Sequence, residues 1–158
     1  MNKRGFTLME LLVVVIIIAV FASVTYPSYK STIERARANE AINLVGAIKA
    51  AEVKHMVNYE RYGEIFQDIN DFEPGISNFD PLQNNFTTEF FTYTLHVPDA
   101  KARVEAIRNT NDSYRIVGIF AENFIRCYYT NTDGQKVCSS LTDEESTAGG
   151  DGNFYRIF

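Results

Sequence analysis

Tryptophan is absent from this 158-residue chain, and cysteine and histidine occur only twice each. Two cysteines are too few for a disulfide-built scaffold or a four-ligand zinc site. The histidines, His55 and His96, lie far apart with no ligand-like spacing. Basic charge is also scarce: 15 Lys and Arg face 20 Asp and Glu, a formal net charge of −5. Duplex DNA and anionic headgroups need a basic face, so the composition points to no nucleic-acid partner. Catalytic signatures are missing as well. There is no phosphate-cradling Gly motif, no HExxH, and no Ser or Cys nucleophile beside a credible base. The Gly149-Gly150-Asp151-Gly152 stretch lacks a strand–helix context. The chain therefore reads as a non-enzyme with no cofactor and no metal.

Apolar residues are present in quantity: 46% hydrophobic, with 12 Phe and 9 Tyr, on a length that suits one domain. Residues 6–26 form an apolar run broken by one charge, Glu10. As a helix this run would be roughly 31 Å long, close to the hydrocarbon thickness of a bilayer. Lys3 and Arg4 precede it, and no basic residue follows until Lys30. That asymmetry keeps the N-terminus cytoplasmic and sends the remainder outward. A secretory signal peptide, with an apolar region over 11–20 and a cut after Ala22, is one explanation. A plain membrane anchor is another. Glu10 sits badly with both, because an acidic residue at mid-bilayer costs about 2.5–3.5 kcal/mol on insertion scales.

The stretch KRGFTLMELLVVVIIIAVFASVTYPSY, residues 3–29, resembles the N-terminus of type IV pilins and the related pseudopilins of type II secretion. It combines a short basic leader ending in Gly5, then Phe6, Thr7 and Leu8, a Glu as fifth residue after the cut, and an apolar helix. The resemblance implies cleavage between Gly5 and Phe6 by a prepilin peptidase, which then N-methylates the Phe6 amine. It also implies that Glu10 meets the N-terminal amine of a neighbouring subunit, and that Pro27 marks a kink in the helix. A helix-interior Pro removes one hydrogen bond and clashes with the preceding turn. Ala19 occupies the place of the helix-breaking Gly that often accompanies that Pro, so the extent of unwinding stays open at this point.

Beyond Pro27, Ile33, Arg37, Ala41, Leu44, Ile48, Ala51 and His55 recur at helical spacing, joined by Ala36, Val45 and Met56. Charges fall mostly on the other face, and Gly63 is a plausible stop. The expected helix runs from about 6 to about 62, its first half apolar all round and its second half amphipathic. His55 reads as a packed histidine. Residues 64–88 read as a surface loop, pinned by Ile69, Phe72, Phe79 and Leu82. Strand signals follow at 89–97, 102–109 and 113–121, separated by turn chemistry at Pro98-Asp99 and across 109–112. An antiparallel sheet laid on the amphipathic half of the helix is the natural product.

The stretch IRCYYTNTDGQKVCSS reads as strand, four-residue turn and strand, with Cys127 directly opposite Cys138. Opposed residues of an antiparallel pair lie within disulfide range, and the head faces an oxidising compartment. The resemblance supports one disulfide closing a C-terminal loop. The tail carries Asp143, Glu144, Glu145 and Asp151, the first three contiguous rather than alternating, which reads as a solvated acidic loop more than a calcium loop. Residues 154–158 are apolar enough to tuck back onto the sheet.

The expectation is an α+β, pilin-like chain: leader 1–5, membrane and assembly half of the helix 6–29, globular head 30–158. The resemblance implies a structural subunit of a type IV pilus-like filament, a homopolymer held first in the bacterial inner membrane with its head outside and later extracellular. The implied partners are the prepilin peptidase, a pilus assembly platform and its ATPase. A pseudopilin of type II secretion, with calcium in its C-terminal region, is the alternative.

Overall fold

The computed structural model describes residues 6–69, 72, 74–75, 79–97, 101–110, 113–150 and 152–157. The leader with Gly5, the turn residues Pro98, Asp99, Asn111 and Asp112, and Asp151 and Phe158 lie outside the described residues. The chain forms an α+β arrangement of two compact units, divided after Glu34. Helix α1, Leu8–Tyr59, contributes to both.

In the first unit the helix carries one charge, Glu10, before Lys30, and its apolar side chains there are exposed on every side. Its most hydrophobic window has a mean hydropathy of 2.7 and no buried share, and it is long and apolar enough to cross a membrane. The helix passes through position 27 as one element.

In the second unit the remainder of α1 packs on a seven-stranded antiparallel sheet, with β1 Asn85–Thr87, β2 Phe91–His96, β3 Arg103–Arg108, β4 Tyr114–Ile119, β5 Ile125–Tyr129, β6 Thr147–Gly149 and β7 Gly152–Ile157. The spatial order is β1-β2-β3-β4-β5-β7-β6. Strands β2 to β4 fall where the alternating patterns put them. Their inward residues Phe91, Tyr93, Leu95, Val104, Ala106, Tyr114 and Ile116 meet Ala38, Ala41, Val45 and Ile48 of α1 in one core. Gly118 on β4 lets the helix approach: a Cβ there would lie 2.8 Å from Val45 Cγ1.

Four expectations need correction. The helix ends at Tyr59, not near Tyr62, because Glu60 adopts a left-handed φ of 59° while its amide still reaches the Met56 carbonyl at 2.9 Å. Secondly, the buried stripe is rotated: Ala36 and Met56 are exposed, whereas Glu52 is fully buried between Ile48 and His55. The supposed loop 64–88 also has structure of its own, a 3-10 turn at Phe66–Asp68 and strand β1. Ile69, Phe72 and Phe79 pin it as expected, around Phe66 and Phe86, but Leu82 is 61% exposed.

The fourth correction concerns the cysteine segment, which is not a hairpin. Strand β5 is followed by helix α2, Thr132–Ser139. Asn131-Thr132-Asp133-Gly134 is turn chemistry, but it is equally a helix start. The Asn131 side chain accepts the Gly134 amide at 2.9 Å, and Asp133 stands in the first turn, where the helix dipole favours negative charge. On the side away from β4, the strand that pairs β5 is β7, the tail expected only to tuck back.

Candidate assembly and processing site

Helix α1 begins with a reciprocal cap. The Thr7 amide and hydroxyl both donate to Glu10 Oε2, at 2.9 and 2.8 Å, and the Glu10 amide approaches the Thr7 hydroxyl oxygen at 3.3 Å. The first helical bond runs from the Leu11 amide to the Thr7 carbonyl at 3.3 Å. Thr7 is therefore the N-cap and Glu10 the third helical residue of a capping box, in which each side chain satisfies the other's orphan amide. The T-x-x-E spacing from Thr7 to Glu10 carries this signal in the sequence. The acid is thus prepaid with donors from its own first turn. Phe6 is 79% exposed beside it, while Gly5, across the expected cut, lies outside the described residues.

Cys127 and Cys138 are bonded, with Cα atoms 5.6 Å apart across 11 residues of sequence. The expected pairing thus forms between a strand and a helix instead of across a hairpin. Both cysteines are fully buried, so the bond fastens α2 to the core rather than closing an exposed loop. Gly134 permits this seat: a Cβ there would lie 1.8 Å from the Ser113 carbonyl oxygen.

His55 is packed, with Nδ1 2.8 Å from the Arg61 carbonyl oxygen and its ring 4.6 Å from that of Tyr59. One helical turn earlier lies a residue that periodicity did not single out. Glu52 accepts the Gly63 amide at 2.9 Å through Oε2, while buried Oε1 has no hydrogen-bond partner. Burial pushes its carboxyl up to about 7, Asp68 adds to the rise, and the Gly63 amide opposes it. Burial likewise lowers Lys49, whose ammonium donates to the Glu122 and Phe124 carbonyls. In the tail, Asp143, Glu144 and Glu145 are exposed. Among the described residues no group of three His, Cys, Asp or Glu side chains is placed to hold a metal.

The first turn lies within the stretch that a known family model matches. Residues 1–26 match the family described as the prokaryotic N-terminal methylation motif. The chain is also similar, over part of its length, to type IV pilins and fimbrial proteins. A type IV major pilin protein of Neisseria gonorrhoeae is 36% identical over 62 residues, 39% of this chain and 38% of its own. A fimbrial protein of Eikenella corrodens is 41% identical over 49 residues, 31% of this chain and 32% of its own. A fimbrial protein of Moraxella nonliquefaciens is 35% identical over 69 residues, 44% of this chain and 42% of its own. The matched pilin-type segment thus spans less than half the length of these curated relatives. No solved structure matches the chain.

Proposed function

We propose that this chain is a structural subunit of a type IV pilus-like filament. The observation that carries the reading is the pairing of an apolar, unburied helix with a capped carboxylate in its first turn, directly after the Gly5-Phe6 junction. A prepilin peptidase on the cytoplasmic side cuts that junction and N-methylates Phe6. The new Phe6 amine is a cation inside an apolar segment, and Glu10 of a neighbouring subunit is its counter-charge. Both Thr7 donors fall on Glu10 Oε2, and Oε1 is the oxygen the amine would meet. Within the lone membrane subunit the capping box tempers the expense of the acid. In the filament the ion pair contributes little net stability but penalises a misplaced neighbour, which would leave a buried charge. Glu10 thereby sets the offset between subunits.

Before assembly the chain sits in the inner membrane with its head outside; afterwards it is extracellular. Assembly moves the apolar helix from lipid into a bundle of helices, where packing and charge pairing outweigh any hydrophobic gain. Its partners are other copies of itself, the peptidase, and an assembly platform with its ATPase. Pro27 provides the place where the helix yields. The curated relatives are pilin and fimbrial proteins, structural rather than catalytic, and this favours a pilus subunit over a pseudopilin of type II secretion.

The test is intact mass and N-terminal sequencing of protein sheared from the surface of the native cell. A chain starting at N-methylated Phe6 supports the reading. A start at Ser23 identifies an ordinary signal peptide and removes it. Processed protein confined to the membrane fraction would restore the pseudopilin. In parallel, Glu10→Ala should leave cleavage intact and reduce filament yield.

A further inference from the structure

The sheet face opposite the α1 contact carries a group of stacked cations. Arg103, Arg115, Arg126 and Arg156 all project there, on β3, β4, β5 and β7. Register pairs Arg126 with Arg156 and sets Arg115 opposite Tyr128. Arg115 lies over the Tyr128 ring at 5.0 Å, Arg126 over Phe154 at 4.5 Å and Arg156 over Phe124 at 4.9 Å. Tyr128 and Phe154 touch with ring centroids 5.2 Å apart, and with Val117 and Ile119 they form a second apolar cluster on this face. Glu105 pairs with Arg115 at 3.4 Å, and Glu122 accepts from Arg126. Glu105 and Glu122 offset Arg115 and Arg126, while exposed Arg156, set beside Arg126 and over Phe124, brings a further cation to this face in a chain of net charge −5. Beside Arg115 and Tyr128 lies a depression of about 370 Å³, bordered also by Ile107, Thr130 and Gly152.

The complementary charge sits on the other side of the sheet. Asp143, Glu144 and Glu145 are consecutive and exposed. The next residue, Ser146, shares a 2.9 Å hydrogen bond with the Tyr129 hydroxyl. Tyr129 packs against the main core, so the acidic run is held toward the face that bears α1. A second copy can bring the two together, and a contact between unlike patches is heterologous: it repeats into an open helical polymer instead of closing.

We propose that the arginine–aromatic face is the docking surface for the acidic run 143–145 of a second copy of this chain. The proposal rests on the filament reading and assigns a contact between heads within it. Guanidinium groups held over aromatic rings are already ordered, so less side-chain freedom is lost on docking. Their N–H edges match carboxylates in bidentate fashion.

Exposed Arg156 and the Glu144-Glu145 pair allow a charge exchange in the full chain. R156E and E144K/E145K should each lower the yield of sheared filaments in low salt by roughly fivefold, the scale of one surface ion pair. Combining all three should restore most of it. R156K keeps the charge and adds an amine, so carbodiimide treatment of those filaments should join position 156 to residues 143–145 of another subunit. Protease resistance and the intact disulfide of membrane-extracted subunits check that the heads remain folded. If the unaltered chain forms no filament, the filament reading fails and takes the proposal with it. If filaments form and both reversals leave yield and salt dependence unchanged, the proposal alone is overturned. It is also overturned if R156E spares yield but weakens retention of filaments on heparin or DNA resin, an outcome that assigns the face to an anionic polymer.

Discussion

The Glu52 carboxylate accepts the Gly63 amide at 2.9 Å, so the last turns of α1 hold the segment that leaves the helix. Glu52 is fully buried, its other oxygen has no hydrogen-bond partner, and Asp68 lies close enough to raise its carboxyl further, to about 7 against an ordinary 4.5. A raised acid is protonated in the folded chain where the unfolded chain has already ionised. Its stabilising contribution is therefore complete below the unfolded value and is lost as pH rises toward the folded one. The melting temperature of the full chain in detergent should fall between about pH 5 and about pH 8. Glu52→Gln should flatten that slope and stabilise the alkaline end by on the order of 2–3 kcal/mol. Parallel pH profiles for the two proteins would remove the argument.

Gly63 is constrained from the same side. A Cβ at that position would lie 2.9 Å from Asp68 Cβ and 3.4 Å from Ile69 Cγ1. The turn 64–69 is itself tight, with Asp68 accepting the Glu64 and Ile65 amides at 2.9 and 3.3 Å. Gly63→Ala should thus destabilise the head by about 1–3 kcal/mol, the usual range for an overpacked site. Thermal melts at a pH below 6 check it, where Glu52 is mainly neutral. An unchanged midpoint would mean that the turn shifts without loss.

What the sequence made legible follows from where its signals were unopposed. Alternation over β2, β3 and β4 had one interpretation, and those strands form there. The apolar run from Phe6 likewise had only one helical outcome in a chain with no break before Pro27. The errors came where one motif fits two structures. Asn131-Thr132-Asp133-Gly134 suits a turn and a helix N-cap, and only the arrival of β7 beside β5 decides between them, a long-range pairing that local pattern cannot report. Glu52 was hidden for a different reason: periodicity assigns charges to the outside, and the amide that makes its burial tolerable comes from Gly63, beyond the helix end. Glu10 is the converse case. Its partner Thr7 stands three residues earlier, and the T-x-x-E spacing makes the cap readable from sequence alone.

The seat of α2 gives a sharper steric test. Gly134 approaches the Ser113 backbone so closely that a Cβ would stand 1.8 Å from the carbonyl oxygen and 3.3 Å from Tyr129 Cβ. Backbone cannot yield as a flexible side-chain tip does, so Gly134→Ala should displace α2 and open the Cys127–Cys138 bond to solvent. The measurement is the rate of reduction by dithiothreitol in the native buffer, which should rise well above that of the parent. For comparison, replacing both cysteines by Ser should lower stability by about 2–3 kcal/mol, the range for a loop this short. If the Ala variant reduces at the parent rate, α2 is not held by this contact.

The capping box at the start of α1 separates two roles of Glu10, as cap and as counter-charge. Thr7→Val preserves the β-branched shape and the backbone amide bond to Glu10 but removes the hydroxyl that donates to Oε2 at 2.8 Å and accepts the Glu10 amide at 3.3 Å. Loss of an N-cap side chain costs about 0.5–2 kcal/mol locally. Amide exchange at residues 9–11 in detergent micelles should accordingly accelerate by roughly fivefold, the factor for about 1 kcal/mol of local opening. Thr7→Ser should restore protection, because its hydroxyl can make the same pair of bonds. If the cap also aims the carboxylate at a neighbour's amine, filament yield should fall in the order Thr7→Ser, Thr7→Val, Glu10→Ala. Faster exchange in Thr7→Val with undiminished filaments would confine Thr7 to the helix start and leave Glu10 to act alone.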